Sequence, residues 1–221
     1  MTRRGLVLGA GGVLGAAWTI GALAAVQEHY GWDPREAEVL IGTSAGSVLV
    51  ADGVVTLRRW RSADAADVTR ACEDPLTARW LPVPSPYTLA DGAAYVDQLT
   101  AANWATGRAA ELAVTDAGTG ELLGAAGLSL PQRAAGVAEV GYWTAPWCRG
   151  RGVAGRAATL LAGWGLGELG LARIELLADV DNPASHRVAE KGGFAREGIA
   201  QRRIRDRTGN PRDMVVFSRI A

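Results

Sequence analysis

The chain has 221 residues, 48% of them hydrophobic, and its 23 Lys and Arg balance its 23 Asp and Glu to a net charge of zero. That composition supplies a real core, argues against disorder, and gives no global attraction to nucleic acid or to an anionic membrane surface. Two cysteines, Cys72 and Cys148, are too few for a disulfide scaffold, and with only two histidines no metal site is expected.

The chain opens on "MTRR" and an uncharged run to Val26, which has the outline of a secretory signal or a weak membrane span. Its composition points elsewhere, because the run is dominated by Gly and Ala and its glycines cluster in "GAGGVLG". A cytoplasmic protein is the expectation. "RGLVLGAGG" predicts a strand running into glycines, "VLGAAWTIGALAAVQEHYG" a helix stopping at Gly31, and "AEVLIG" a second buried strand. "GTSAG" then opens a second helix through a G-x-S-x-G turn, so residues 1–51 are expected to form a βαβ unit. Such a turn needs small flanks, here Gly42 and Gly46, and it exposes the Ser44 hydroxyl. The glycines of "GAGG" can aim N–H groups at one point, as an oxyanion hole requires. The same loop is close to a dinucleotide-binding G-x-G-x-x-G, but no acidic residue ends the second strand to hold a ribose.

Gly9-Ala10-Gly11-Gly12-Val13-Leu14-Gly15 followed by Gly42-Thr43-Ser44-Ala45-Gly46 resembles the N-terminus of patatin-like phospholipases over residues 4–51. That family works with a Ser–Asp dyad. Here the chain leaves the family's pattern soon after the serine, and the "DGA" at Asp91 to Ala93 sits inside an amphipathic helix with its own explanation. A serine with no base is not an activated nucleophile. The resemblance therefore implies a truncated fragment, and a serine acyl hydrolase built on Ser44 is the competing function.

From Asp52 the pattern changes. "GVVTLRRW" alternates as a strand, "SADAADVTRACED" is a capped helix, "WLPVPSPY" a Pro-rich loop, and "TLADGAAYVDQLTAANWATG" a helix ending at Gly107. Strands follow at "AELAVTD", "ELLGAAGLSL" and "VAEVGYWTA". "RGVAGRAATLLAGWGLGELG" is a helix, "RIELLADV" a buried strand, "NPASHRVAEKGGF" a capped helix, and the remainder a hairpin around "TGN". This order predicts an α/β fold with a mixed sheet and helices on its faces. In "GYWTAPWCRGRGVAG" a strand breaks at Pro146 and a glycine-spaced loop leads into a helix start, whose N–H groups and dipole, with an Arg side chain such as that of Arg149, suit a pyrophosphate.

Together with "DNPASHRVAEKGGF", that segment resembles the GNAT acetyltransferases of the RimJ/RimL type, which acetylate protein N-termini and small amines. Arg149, Gly152 and Ala154 match the R-x-x-G-x-A core, and Asn182, Ser185, Glu190, Lys191, Gly193 and Phe194 match the N-x-x-S…EK-x-GF signature. The resemblance covers residues 52–221 and implies the GNAT acyl-CoA N-acyltransferase fold, a mixed, mostly antiparallel sheet flanked by helices. It also implies acetyl-CoA as co-substrate, lying between splayed strands that end near Thr144 and Leu177. Its pyrophosphate would sit on the amides of Arg149, Gly150, Arg151, Gly152, Val153, Ala154 and Gly155. Backbone groups of Tyr142, Trp143 and Thr144 would pair with the pantetheine arm, and Asn182 would hold the cofactor. Ser185 would protonate the leaving thiolate, while Glu139, directly or through water, or solvent itself would take the amine proton. Cys148 is expected to be structural, and His186 to face away from Ser185, with a role as base the alternative. Trp80, Pro84, Tyr87 and Trp104 are either packing or the wall of an amine pocket, and the arginines from Arg196 to Arg212 a solvated hairpin or a greeting for an acidic peptide. The expected partners are acetyl-CoA and an amine acceptor (a peptide N-terminus or a small molecule), with the chain a monomer or homodimer. A non-catalytic acyl-CoA-binding module is the remaining alternative.

Overall fold

The computed structural model describes residues 5–9, 39–43, 49–132, 135–206 and 208–221. The glycine loop, the helix expected after it and Ser44 lie outside the described residues. Ten strands form one sheet: β1 (Gly5–Gly9), β2 (Val39–Thr43), β3 (Leu49–Ala51), β4 (Val55–Arg58), β5 (Ala109–Asp116), β6 (Leu122–Gln132), β7 (Val137–Thr144), β8 (Arg173–Asp179), β9 (Ala195–Arg205) and β10 (Pro211–Ile220). Their order across the sheet is β1-β2-β3-β4-β5-β6-β7-β8-β10-β9. β1/β2 and β7/β8 run parallel, and the other neighbours run antiparallel. This is the mixed sheet that the element order predicts, mostly antiparallel as the family resemblance implies.

One stretch departs from expectation. "LVA", placed in the opening of a second helix by the G-x-S-x-G pattern, is strand β3, paired with β2 on one side and β4 on the other. The reason is the Asp-Gly pair that follows, a strong hairpin signal between two apolar runs. Asp52 Oδ1 accepts from the N–H groups of Val54 and Val55 at 2.9 Å each, and Gly53 takes the left-handed φ of 80° that the turn requires. Val50 is 2% exposed and belongs to the main core.

Alternation along the central strands fills both faces of the sheet. Leu112 and Val114 point into a large core with α5 (Val153–Gly167) and α6 (Pro183–Lys191), whereas Ala113 and Leu122 point into a smaller one on the other face. Between β4 and β5 in the chain come α1 (Ala65–Cys72), α2 (Pro75–Trp80), α3 (Leu89–Ala94) and α4 (Thr100–Thr106), of which α1 supplies Ala65, Val68 and Cys72 to the smaller core and α3 packs Ala93 against it. On α1 the buried residues Ala65, Val68, Ala71 and Cys72 make one stripe at helical spacing. The short helix α2 is an addition to the sequence reading: Asp74 caps it by accepting from Thr77 N–H at 2.8 Å, and Pro75 occupies its first turn. The long helix expected up to Gly107 is present, but a π-helical turn at Tyr95–Leu99 separates α3 from α4. Gly107, left-handed at φ 65°, ends it as predicted. No helix among the described residues is long and apolar enough to cross a membrane.

Because β3 is bonded into this sheet, a chain beginning at Asp52 is expected to unfold at a lower temperature than one beginning at Leu49. Burying a valine such as Val50 is worth about 1.5–3 kcal/mol, and thermal denaturation of the two truncations checks the difference.

Candidate active site

Two strands come apart at the centre of the sheet. β7 and β8 pair only at Val137↔Arg173, Ala138↔Ile174 and Glu139↔Glu175, although β7 continues to Thr144 and β8 to Asp179. Each strand end is tied away from the other. Beyond β7, Ala145 N–H donates to the Leu123 carbonyl of β6 at 2.8 Å, Cys148 Sγ to the same oxygen at 2.9 Å, and Trp147 Nε1 to the Leu122 carbonyl at 3.0 Å. At the end of β8, the Asp179 carboxylate accepts two bonds of 2.8 Å from Arg212 on β10. Alternation does the rest. Since Ala145 faces β6, Trp143 and Gly141 turn their backbone groups the same way, and those of Tyr142 and Thr144 face the gap.

At the wide end of the gap, Gly150 and Gly152 take left-handed φ values of 80° and 77° to turn the chain into α5. No side chain caps this helix start, so its first N–H groups lack intrahelical partners and the positive end of the helix dipole is uncovered. A Cβ built on Gly150, Gly152 or Gly155 would meet nothing within 4 Å. The residues present therefore fit an anionic diphosphate lying on the amides of 149–155. The side chains divide differently from expectation. The Arg149 guanidinium is held by Asp74 and by Thr77 Oγ1 (2.7 Å) on α2, which holds the Asp74 carboxyl down at about 2. Arg151, half-exposed and 3.9 Å from Asp116, is the cation left beside the loop.

Across the gap, Asn182 caps α6, its Oδ1 accepting from Ser185 N–H at 3.1 Å. The Tyr142 hydroxyl donates to Ser185 Oγ at 3.0 Å, so a side chain of β7 meets one of α6. Burial pushes the Tyr142 phenol up to about 12, keeping it protonated at neutral pH. The family resemblance implies only a backbone role for Tyr142; nothing in one sequence signals a contact between positions 43 residues apart. His186 bonds the Asp179 carbonyl through Nε2 at 2.9 Å and packs on Phe217. Cys148 is 1% exposed and its thiol is pushed up by burial.

Glu139 stands at the apex of the gap, on the face covered by α1–α4, and lines a cavity of about 180 Å³ with Glu111, Tyr95, Trp143, Gly127 and Gly141. Burial raises its carboxyl above the ordinary value, against the lowering pull of the Arg203 charge. Of the aromatic residues considered for an amine pocket, Tyr87 is buried in the smaller core and Trp104 lines a neighbouring cavity with Arg59 and, at its border, Glu111. Trp80 and Pro84 line neither cavity. The walls are Tyr95 and Trp143 instead, brought there by the π-helical turn and by the face of β7.

A sheet opened between two parallel strands, with an uncapped glycine-rich helix start at its mouth, defines an acyl-transfer scaffold. Residues 55–195 match the family model described as the acetyltransferase (GNAT) domain, and the chain belongs to that family. The chain is 34% identical over 100 residues to the uncharacterised N-acetyltransferase YoaA of Bacillus subtilis, a stretch that spans 45% of this chain and 56% of that protein. Two solved structures share the fold. The ribosomal-protein-S5-alanine acetyltransferase of Vibrio fischeri has a TM-score of 0.67 at 22% identity, over 78% of this chain and 96% of that one. RimJ of Mycobacterium smegmatis in complex with CoA-disulfide has a TM-score of 0.67 at 24% identity, over 76% and 82%. The family model covers only part of the C-terminal portion, and the likeness of residues 4–51 to patatin-like phospholipases finds no support in these matches.

The raised carboxyl has a consequence for stability. The folded chain keeps the Glu139 proton at pH values where the unfolded chain has released it, so stability falls as pH rises above the ordinary carboxylate value. Glu139→Gln removes that penalty. The variant is expected to melt at a higher temperature than the parent at neutral pH, with the advantage shrinking in acid, as read by thermal denaturation at two pH values.

Proposed function

We propose that the chain moves an acetyl group from acetyl-CoA to a primary amine, a peptide N-terminus or a small molecule, by direct attack on the thioester. The observation that carries this reading is the gap between β7 and β8 with the open N–H groups of α5 at its mouth. Diphosphate charge would rest on the amides of Arg149 to Gly155, with Arg151 alongside. The gap-facing backbone groups of Tyr142 and Thr144, next to Trp143, would bond the amide-containing arm as another strand would, and Asn182 would border it from α6. The thioester supplies an acetyl carbon that an uncharged amine can attack.

The chain's own groups then account for the protons. Glu139, ionised, takes the proton that the amine must lose. As the C–N bond forms and the C–S bond breaks, the leaving thiolate needs a proton, which Ser185 would give. Tyr142 positions Ser185: its hydroxyl donates to Ser185 Oγ, which leaves the serine's own O–H as the donor aimed elsewhere. Even held near 12, the phenol is a stronger acid than a serine hydroxyl, so Tyr142 returns a proton to Ser185 Oγ as the serine gives its own to the thiolate, and solvent refills the phenol. The two-part organisation, a leader to residue 51 and a transferase from 52, and a cytoplasmic location belong to the same proposal, with β3 as a strand shared across that junction.

Release of CoA thiol from acetyl-CoA with a panel of primary amines tests the reading. Ser185→Ala is expected to lower kcat by about 10²-fold or more while leaving the KM for acetyl-CoA within a few-fold. The acid limb of the kcat/KM profile is expected above the ordinary carboxylate pKa and is expected to vanish in Glu139→Gln. Acetyl-CoA binding with no thiol release for any amine would leave a binding module instead of an enzyme.

A further inference from the structure

The cavity beneath Glu139 has a charge pattern that the transfer reaction alone does not require. Glu111 on β5 lies opposite Gly127 on β6, and Gly127 lies opposite Gly141 on β7. Glu111 is therefore two strands from Gly141 and Glu139 two residues farther along β7. With strands about 4.8 Å apart and about 3.4 Å per residue, the two Cα atoms are about 12 Å apart on one face of the sheet. Between them the floor is glycine. A Cβ on Gly141 would meet nothing within 4 Å, whereas one on Gly127 would strike the Ala110 carbonyl oxygen at 2.8 Å. The open space over Gly141 is thus part of the cavity and not of the packing.

The walls sort the possible occupants. Tyr95 and Trp143 offer aromatic surface, and none of the lining residues is cationic. Glu111 accepts one bond from Asn103 Nδ2 at 3.0 Å, and among the described residues neither Glu111 nor Glu139 has an ion-pair partner. Glu175, next to Glu139 in register, is by contrast already matched by Arg173 at 2.8 Å, and the Arg203 charge reaches Glu139 only through space. One carboxylate at the apex suffices to handle the reacting nitrogen. A second, across a glycine floor, gives the cavity a place for a second positive group on the acceptor, although Glu111 also borders the neighbouring cavity that holds Arg59. Both glutamates line one cavity of about 180 Å³, room for a short alkyl chain with an ammonium at each end.

We infer that the acceptor is a small diamine or a similarly dicationic amine, its reacting nitrogen at Glu139 and its second ammonium at Glu111. Glu111 is then a specificity-determining residue that takes no part in proton transfer. This rests on the acetyl-transfer reading for the reaction but not for the binding.

Diaminobutane is compared with butylamine, which matches its chain and lacks the second charge. The kcat/KM for the diamine is expected to exceed that for the monoamine by about tenfold or more, a typical scale for one charged contact. In Glu111→Gln that ratio is expected to collapse toward one. Gly141→Val is expected to raise KM for the diamine while the affinity for CoA is unchanged. Calorimetric binding of diaminobutane to the full chain without acetyl-CoA reads the cavity independently of turnover, with a Kd about tenfold weaker or more in Glu111→Gln. Diamine binding weakened by Glu111→Gln, but with no transfer, would overturn the acetyl-transfer reading and leave this assignment standing. Equal kcat/KM for the two amines, or diamine binding indifferent to Glu111→Gln, would overturn the assignment.

Discussion

The molecule depends on a sheet that is prevented from closing. Parallel strands in register normally stay paired along their length, because each unpaired buried N–H or carbonyl costs free energy. Here β7 and β8 part after Glu139↔Glu175, and the separation has identifiable anchors on each side. Ala145, Trp147 and Cys148 bind the end of β7 to β6. Arg212 binds the end of β8 to β10. The unpaired backbone edge is the proposed recognition surface, and the uncapped start of α5 sits at its mouth. Every role assigned to this chain is placed relative to that opening.

The opening also separates two chemistries by face. On the side of α5 and α6, Tyr142 and Ser185 meet in a hydroxyl pair close to the helix cap made by Asn182. On the side of α1–α4, Glu139 and Glu111 line a cavity with aromatic walls. A proton donor and a carboxylate placed on opposite sides of the same gap do not neutralise each other. Burial raises both Tyr142 and Glu139 in pKa, with opposite functional meaning: it keeps the phenol a donor and makes the carboxyl a better base.

Much of this was legible in the sequence. The strands and helices from Val55 onward follow from alternation, helix caps and glycine stops, and the loop from Arg149 to Gly155 is local in the chain, so its motif identifies it. What stayed hidden is what depends on neighbours distant in sequence. Arg149 reads as a diphosphate ligand until Asp74 and Thr77, on a short helix the sequence did not reveal, take its guanidinium. Glu111 reads as one polar position in an alternating strand, and only the register of β5, β6 and β7 sets it across from Glu139. Tyr95 enters the cavity from a π-helical turn, for which the helical pattern gives no cue. At Leu49–Ala51 two local signals competed, and the Asp-Gly hairpin prevailed over the helix opening.

The central claim is that the gap is a backbone recognition edge, and amide hydrogen exchange with and without CoA tests it most directly. Alternation along β7 predicts that CoA slows exchange at Tyr142 and Thr144, which face the gap. Gly141 and Trp143, already bonded to β6, should change little. Protection distributed evenly along β7, or no protection at Tyr142 and Thr144 when CoA is bound, would contradict the account.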